Sequence, residues 1–431
     1  MARKMKDSGI EWIGEIPEGW SKNKVIRLFD IIGSGTTPKN ITSDFPVVNW
    51  IQSGDITGSF MPTCKNVISA NLLSQYSTLK VYPAPFIIIA MYGASVGNAS
   101  ISLIDGCVNQ ACCVLSSPSC NLHYAFYVIK SAQSYLVRKA VGGGQPNISQ
   151  ETIKQLWLPL PPLSTQDIIV RNLDATCSKI DDLLSSVHSS IEDYKKLKQA
   201  VITQAVTKGV RGKREMKDSG VDYIGQIPSE WFLGKLRNVG DTQNGISKSS
   251  EFFGKGFPFV SYSDIYKNYS LSSTVSGLVD STPEEQKRYS VKKGDIFFTR
   301  TSETIEEVGF SCVCEKDIPN ATFAGFLIRV RPFSDKLYTP YAKYYFRSSH
   351  LRFYLVKEMN LVTRASLGQS LLKSMPVLLP PLEEQKEVAD YLDAKCAEID
   401  GLIAKKEQLV KELESYKKSL IYEVVTGKRE V

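Results

Sequence analysis

Met5-Lys-Asp-Ser-Gly-Ile-Glu-Trp-Ile-Gly-Glu-Ile-Pro-Glu-Gly-Trp20 is written a second time in the chain, as Met216-Lys-Asp-Ser-Gly-Val-Asp-Tyr-Ile-Gly-Gln-Ile-Pro-Ser-Glu-Trp231. Ten of the sixteen positions are identical, at an offset of 211 residues. Self-similarity of this length marks a duplicated architecture before any residue chemistry is weighed. A second repeat closes each half: Leu160-Pro-Pro-Leu163 with Gln166 returns as Leu379-Pro-Pro-Leu382 with Gln385. Its offset of 219 holds without a gap to Thr207 and Thr426, and it pairs Leu173-Asp-Ala175, Cys177 and Ile180-Asp181 with Leu392-Asp-Ala394, Cys396 and Ile399-Asp400.

Between the repeats lie two stretches, 21–157 and 232–377, that barely resemble each other. Faint echoes remain: Phe45-Pro-Val-Val48 followed by Gly54-Asp-Ile56 resembles Phe257-Pro-Phe-Val260 followed by Ser263-Asp-Ile265. The expectation is one fold used twice with different surfaces. Neutral drift after duplication would blur frame and inserts equally. A kept frame with diverged inserts points instead to two related ligands at a fixed separation.

The proline pairs Pro161-Pro162 and Pro380-Pro381 punctuate the chain just before helices begin. Leu173, Cys177, Ile180, Leu184, Val187, Ile191, Tyr194, Val201 and Ala205 then step by three and four, and Leu392, Cys396, Ile399, Ile403, Val410, Leu413, Leu420 and Val424 do the same. This is coiled-coil spacing. Each helix is expected to run roughly 40 residues, about 60 Å at 1.5 Å per residue. Neither can bury its stripe alone, so each is expected to pack on the other in an antiparallel spine. The predicted seam is Leu173, Ile180, Leu184, Val187 and Ile191 against Leu392, Ile399, Ile403, Val410 and Leu413. Packing of each helix on its own module is the alternative. Lys198 and Lys417, at one register in both helices, are odd for a dry seam; they suggest a local opening, or charge aimed at DNA or a partner. If the spine is antiparallel, Met5–Trp20 must sit against the end of the second helix, as Met216–Trp231 follows the end of the first.

The inserts read as mixed α/β modules, with strand-like runs at Ala84–Met91, Cys107–Leu115, Asp295–Arg300 and Phe323–Val330, and helices near Leu122–Ala140 and Tyr341–Lys357. Glycine turns at Gly33-Ser-Gly-Thr-Thr-Pro38, Tyr92-Gly-Ala-Ser-Val-Gly97 and Gly142-Gly-Gly-Gln-Pro146 allow close approach of backbone to a ligand. The expected fold class is α+β: two mixed α/β domains joined by two long antiparallel coiled-coil helices, with an internal pseudo-two-fold repeat.

Composition limits the chemistry. The 431 residues are 42% hydrophobic and 23% charged, enough for a buried core in two or three domains. No apolar run approaches 18 residues, and the basic start Met1-Ala2-Arg3-Lys4 is not followed by an apolar stretch, so the cytoplasm is the expected compartment. The net charge of +7 is compatible with a polyanionic partner. Nine cysteines form no C-x-x-C pair. The cluster from Cys107 to Cys120 is the one candidate for metal, and buried thiols in strands explain it better. There is no P-loop, no G-x-G-x-x-G after a strand and no Asn/Asp-Pro-Pro-Tyr/Phe. Glu285-Gln-Lys287 and Glu384-Gln-Lys386 fit half of a nuclease signature, but no Pro-Asp precedes either, and Glu384 suits a helix start. His123, His188 and His350 pair with no evident nucleophile. No catalytic residue and no metal site is therefore expected.

The doubled pattern of Lys-Asp-Ser-Gly-Ile-Glu-Trp-Ile-Gly-Glu-Ile-Pro-x-x-Trp, Leu-Pro-Pro-Leu-x-x-Gln and a long helix ending near Thr-x-Gly resembles the specificity subunits of type I restriction–modification enzymes. Val108-Asn109-Gln110 and Gly144-Gln-Pro-Asn-Ile-Ser149 also resemble stretches common in their recognition domains; the second module departs from both, with Thr322-Phe-Ala324 and Ser366-Leu-Gly-Gln-Ser370. The resemblance implies a first target recognition domain at 1–157, a first spacer helix at 158–208, a second recognition domain at 209–377 and a second helix at 378–431. Each domain would read one half of a split, asymmetric site in double-stranded DNA, with the helices as a ruler. Two adenine-methylating modification subunits and two ATP-driven restriction subunits would complete the complex; S-adenosylmethionine, ATP and Mg would belong to those partners, and this chain would hold no cofactor. Phosphate contacts give affinity and base edges give sequence. The candidate DNA contacts are therefore polar and basic loop residues: Lys39, Tyr92, Ser95, Gln145 and Asn147 in the first module, and Lys248, Tyr262, Arg300, Thr301, Arg364 and Gln369 in the second. A protein-binding adaptor with a coiled-coil stalk would explain the helices but not the two diverged modules. An enzyme fused to its own recognition domain lacks room for the enzyme.

Overall fold

Two proline-led helices of 46 and 44 residues, Leu163–Lys208 and Leu382–Val425, dominate the computed structural model. The structure describes residues 3–39, 41, 43–142, 144–302, 308–358 and 365–431. Helix starts are fixed as the Pro-Pro pairs require: Gln166 Nε2 donates to Pro161 O (2.9 Å) and its repeat mate Gln385 Nε2 to Pro380 O (2.9 Å). The chain divides into two units, residues 1–187 with 408–431, and residues 188–407. Each unit therefore holds one module and a stretch of both long helices.

In the first unit, β1 (Ile31–Ser34), β2 (Val47–Ile51), β3 (Phe60–Met61), β4 (Asn66–Ser69), β5 (Phe86–Ala90), β6 (Ala99–Ser102), β7 (Cys107–Val108) and β8 (Cys112–Ser116) form two sheets. Their orders are β1-β8-β5-β6-β3 and β7-β2-β4. Ile87, Ile89, Ile101 and Leu115 point from the larger sheet into a core shared with the helix Leu122–Ser131 and with Leu173, Cys177, Ile180, Leu420, Ile421 and Val424 of the long helices. Full burial stabilises by about 1.5–3 kcal/mol for each such aliphatic side chain. Antiparallel pairing of Ser21–Lys24 with Trp157–Leu160 clasps the two ends of the insert.

The second unit repeats this plan. Its strands are β9 (Gly240–Asn244), β10 (Phe253–Val260), β11 (Leu278–Val279), β12 (Ile296–Thr299), β13 (Ser311–Val313), β14 (Thr322–Phe323) and β15 (Leu327–Pro332). The sheets run β9-β15-β12-β13 and β11-β10-β14, and Phe232–Lys235 pairs with Pro376–Leu379 as the clasp. The core takes Ile296, Phe298, Val313 and Val330 with Ile202, Val206, Val388 and Leu392.

Several sequence expectations change in detail. The run Cys107–Leu115 is two strands in different sheets, because the Asn109 side chain accepts from Ala111 N (3.1 Å) and Cys112 N returns to Asn109 O (3.2 Å), making a tight turn. The helix expected over Leu122–Ala140 breaks at Ala132 into Leu122–Ser131 and Gln133–Arg138. Its counterpart is Thr339–Tyr345 followed by Ser349–Glu358. The echo from Gly54 to Ser263 is in register, since Asp55 and Asp264 accept from the backbone N–H of Gln52 and Ser261. Phe45 is not in register with Phe257: Ile51 and Val260 occupy matching ladder positions, which sets Val48 opposite Phe257.

Lys198 and Lys417 each meet a carboxylate of the opposite helix. In the first unit Lys417 Nζ lies 2.5 Å from Asp181, and in the second Lys198 Nζ lies 2.6 Å from Asp400. Lys198 and Lys417 are repeat mates, as are Asp181 and Asp400, so one ion pair is made twice with the helices exchanging roles, the hallmark of self-complementary pairing. In the second unit the helices run antiparallel, since Lys198 meets Asp400 whereas Arg211 beyond the helix end meets Glu387. The first repeat sits where the antiparallel arrangement requires: Tyr422 Oη and Lys428 Nζ both donate to Ile13 O, at 3.0 and 2.8 Å. Among the described residues no helix is long and apolar enough to cross a membrane.

Candidate nucleic-acid interface

The loops after the central strands carry the clearest cluster. In the first module the strand β5 ends at Ala90, and the glycine loop that follows is zipped to the segment before the Gln150–Lys154 helix. Gly93 N donates to Pro146 O (2.9 Å), Ile148 N to Met91 O (2.9 Å), and Val141 and Asn147 exchange both backbone bonds. Gly93, Gly97 and Gly142 adopt the positive φ this path needs. Tyr92, Ser95, Gln145 and Asn147 are thereby brought together. Tyr92 is 44% exposed, and the Ser95 hydroxyl donates to Tyr92 O (3.3 Å). Lys39, exposed, lies on another loop, where its backbone N–H donates to Tyr76 Oη (3.2 Å).

The second module makes the same juxtaposition with other side chains. Leu367 N donates to Arg300 O (2.7 Å), and Thr301 pairs with Ser366. Arg300 and Thr301 are half-buried there. Arg364 lies outside the described residues. Gln369 begins the Gln369–Ser374 helix, so its counterpart is Gln150. Its amide is held by the Thr242 hydroxyl (2.7 Å) and by Asn244 (3.0 Å). Lys248 Nζ lies 2.7 Å from Glu285 and donates to Asp280 O (2.6 Å), so its charge is met within the chain. The Tyr262 ring stacks on Tyr266, centroids 5.9 Å apart.

The glycine turn at 33–38 makes its close approach to the protein itself. A Cβ at Gly35 would collide with the Val108 carbonyl, and one at Gly245 with those of Phe323 and Ala324. The result is a conserved crossing within each module rather than a bare ligand cradle, and beside it Thr37 Oγ1 donates to Gln110 Oε1 (2.6 Å).

Of the predicted seam, Leu173, Ile180, Ile191, Leu392, Ile399 and Val410 are buried, while Leu184, Val187, Ile403 and Leu413 are half-buried. Sequence reasoning missed a third repeat that anchors each module to the helices: Tyr124-Ala-Phe-Tyr127 with Lys130-Ser131 returns as Tyr341-Ala-Lys-Tyr344 with Arg347-Ser348. Tyr124 Oη donates to Val425 O (3.1 Å), and Tyr341 Oη to Val206 O (3.3 Å), again repeat mates exchanged. Tyr127 and Tyr344 donate to Asp174 and Asp393, both at 2.6 Å. Constant spacing at an offset of 217 is the signal that finds it.

Side chains with catalytic potential have structural partners. Glu384 is fully buried, accepts from Trp231 Nε1 (2.9 Å) and pairs with Arg214 Nη1 (2.5 Å); Glu285 caps a short helix through Thr282 N (2.8 Å). Burial pushes the thiols of Cys107 and Cys113 up to about 11 and about 12, the setting of inert core thiols. His350 is buried, its Nδ1 2.9 Å from Ser348 Oγ, and burial lowers its pKa to about 4. Among the described residues no three His, Cys, Asp or Glu side chains are grouped to hold a metal ion.

Comparison with known proteins agrees with this plan. The MjaVIII specificity subunit of Methanocaldococcus jannaschii, a type I restriction enzyme subunit, is 28% identical over 310 residues, covering 71% of this chain and 69% of its own. The EcoKI specificity subunit of Escherichia coli strain K12 is 25% identical over 406 residues, 90% of this chain and 84% of its own. A solved structure described as the basis of complex assembly and conformational transition of the type I R-M system superposes with a TM-score of 0.72 at 18% identity, over 95% of this chain and 98% of that one, and so shares the fold. The model of the type I restriction modification DNA specificity domain matches twice, at residues 17–192 and 228–412, and the chain belongs to that family.

Proposed function

We propose that this chain addresses a type I restriction–modification complex to DNA and carries no catalytic centre of its own. The observation that supports this reading is a duplicated frame, with the Lys198–Asp400 and Lys417–Asp181 ion pairs exchanged between its helices, that presents two sets of differing loops. Each module reads one half of a split site: Tyr92, Ser95, Gln145 and Asn147 of the zipped loops in the first, with Lys39 at their flank, and Arg300, Thr301 and Gln369 in the second, with Lys248, Tyr262 and Arg364. The recognition domains span 1–157 and 209–377, and the helices 158–208 and 378–431 set the spacer and dock two modification subunits, which with two restriction subunits complete the assembly in the cytoplasm. S-adenosylmethionine, ATP and Mg serve those partners.

A gel shift with genomic DNA tests the reading. The chain with a co-expressed modification subunit is expected to retard a subset of fragments in the presence of competitor DNA. Equal retardation of all fragments, under every salt condition, would refute it, because phosphate contacts alone carry no sequence information.

A further inference from the structure

The duplication supplies an internal control for the junction between each module and the long helices, and the two junctions differ. In the second unit the Tyr269 ring lies between Lys198 Nζ (5.4 Å) and the Arg347 guanidinium (4.9 Å), beside Tyr344 (6.0 Å). Its phenol oxygen accepts from Gln199 Nε2 (3.4 Å), and Arg347 also covers Phe310 (4.8 Å). The first unit keeps the frame: Lys417, Lys130, Tyr127 and Lys418 stand where Lys198, Arg347, Tyr344 and Gln199 stand. The rings are gone. Val313 N donates to Tyr269 O, and the matching bond is Ile101 N to Ser59 O, so serine replaces the tyrosine. Thr299 N donates to the residue before Ser311, and Ala90 N to Asn98 O, so Asn98 replaces Phe310.

What remains is a cavity of 570 Å³ lined by Lys130, Asp181, Leu184, Glu414, Lys417 and Lys418. Lys130 Nζ donates to the Ser59 hydroxyl (3.1 Å) and lies over the Phe126 face (5.4 Å). We propose that this cavity receives a tyrosine side chain from a partner protein, supplying in trans the ring that Tyr269 supplies in cis. Cations over an aromatic face are attracted by its quadrupole, most strongly where water is excluded. A phosphate fits the walls less well, because Asp181 neutralises Lys417 at 2.5 Å and Glu414 adds a second carboxylate. That the partner is a modification subunit rests on the function proposed above; the aromatic chemistry of the cavity does not.

The test uses p-cresol, the tyrosine side chain as a free molecule, titrated into the full chain and followed by ligand-observed NMR. One site is expected, with a dissociation constant on the order of 1–10 mM. Ser59→Tyr should abolish it, and Tyr269→Ser should open a second site. With a co-expressed modification subunit, Ser59→Tyr should weaken assembly by roughly tenfold or more. Absence of p-cresol binding to the unaltered chain would overturn the proposal, as would unchanged binding in Ser59→Tyr or displacement of p-cresol by inorganic phosphate at lower concentration. A p-cresol site that Ser59→Tyr fills without affecting assembly would overturn the assignment of the ring to that partner. Loss of DNA recognition with p-cresol binding intact would instead count against the proposed function alone.

Discussion

Glu384→Ala should be among the most damaging substitutions in the second unit. The carboxylate is fully buried at the start of the second long helix. It accepts from Trp231 Nε1 at 2.9 Å and meets Arg214 Nη1 at 2.5 Å, while the same guanidinium covers the Trp231 ring at 5.3 Å. Removing one partner of a buried pair costs about 3–5 kcal/mol, because the other charge and the indole N–H stay buried and unmatched. Arg214 keeps Glu230 (3.0 Å) and the Lys208 carbonyl (2.8 Å), which places the expected loss toward the lower end of that range. Glu384→Gln retains an acceptor for the indole and should cost less than Glu384→Ala. The first half offers the comparison: Thr165 occupies the matching helix position, and Arg3 covers Trp20 at 5.3 Å. Urea unfolding followed by tryptophan fluorescence measures the difference. A Glu384→Ala loss below about 1 kcal/mol would refute the view that this triad fastens the repeat to the helix end.

Three further outcomes follow from the same structure. The unfolded His350 imidazole takes a proton near pH 6.5 and the folded one only near 4, so stability is complete above about 6.5 and falls on acidification toward 4, by about 2 kcal/mol between pH 7 and 5; His350→Gln, which installs the residue found at Gln133, should remove that part of the dependence in paired urea titrations. Asp181→Lys with Lys417→Asp should recover most of the stability either single change loses, each loss being about 0.2–1 kcal/mol because the aspartate is more than half exposed; a double-mutant cycle without coupling would contradict the pairing. Joining the termini through a short linker and opening the chain between Gly212 and Lys213 should give a folded, sequence-specific protein, since Lys428 already bonds Ile13 O and the cut spares Arg211 and Arg214; a soluble permutant without site-specific methylation in the presence of its partners would count against the circular arrangement.

The frame was legible because it is repetitive: the Pro-Pro pairs, the stepping of Leu173 through Ala205 and the doubled Met5–Trp20 motif each express a local rule of helix start, period or copy. What escaped the sequence was mostly relational. The register of Lys198 and Lys417 was visible, but the carboxylates that answer them lie on the other helix, 202 and 236 residues away in sequence, at positions recognisable only once the antiparallel exchange of repeat mates is assumed. The run Cys107–Leu115 is apolar except for Asn109-Gln110, and the Asn109 side chain makes a turn there that splits it into two strands. Tyr124 and Tyr127 look like core aromatics of an amphipathic helix until their hydroxyls are followed to Val425 and Asp174. The loop candidates fall between these cases: glycine placement marked the Tyr92–Gly97 and 142–146 turns, and only the folded chain reveals that they are zipped together.

Two independent readers held on one frame should be separable by exchange. Replacing 21–157 with the corresponding stretch of a relative, in a host that supplies the modification subunit, and sequencing the methylome tests it most directly. The methylated motif is expected to change in one half while the other half and the spacer length stay as they were. A motif altered in both halves, or one with neither half altered, would contradict it.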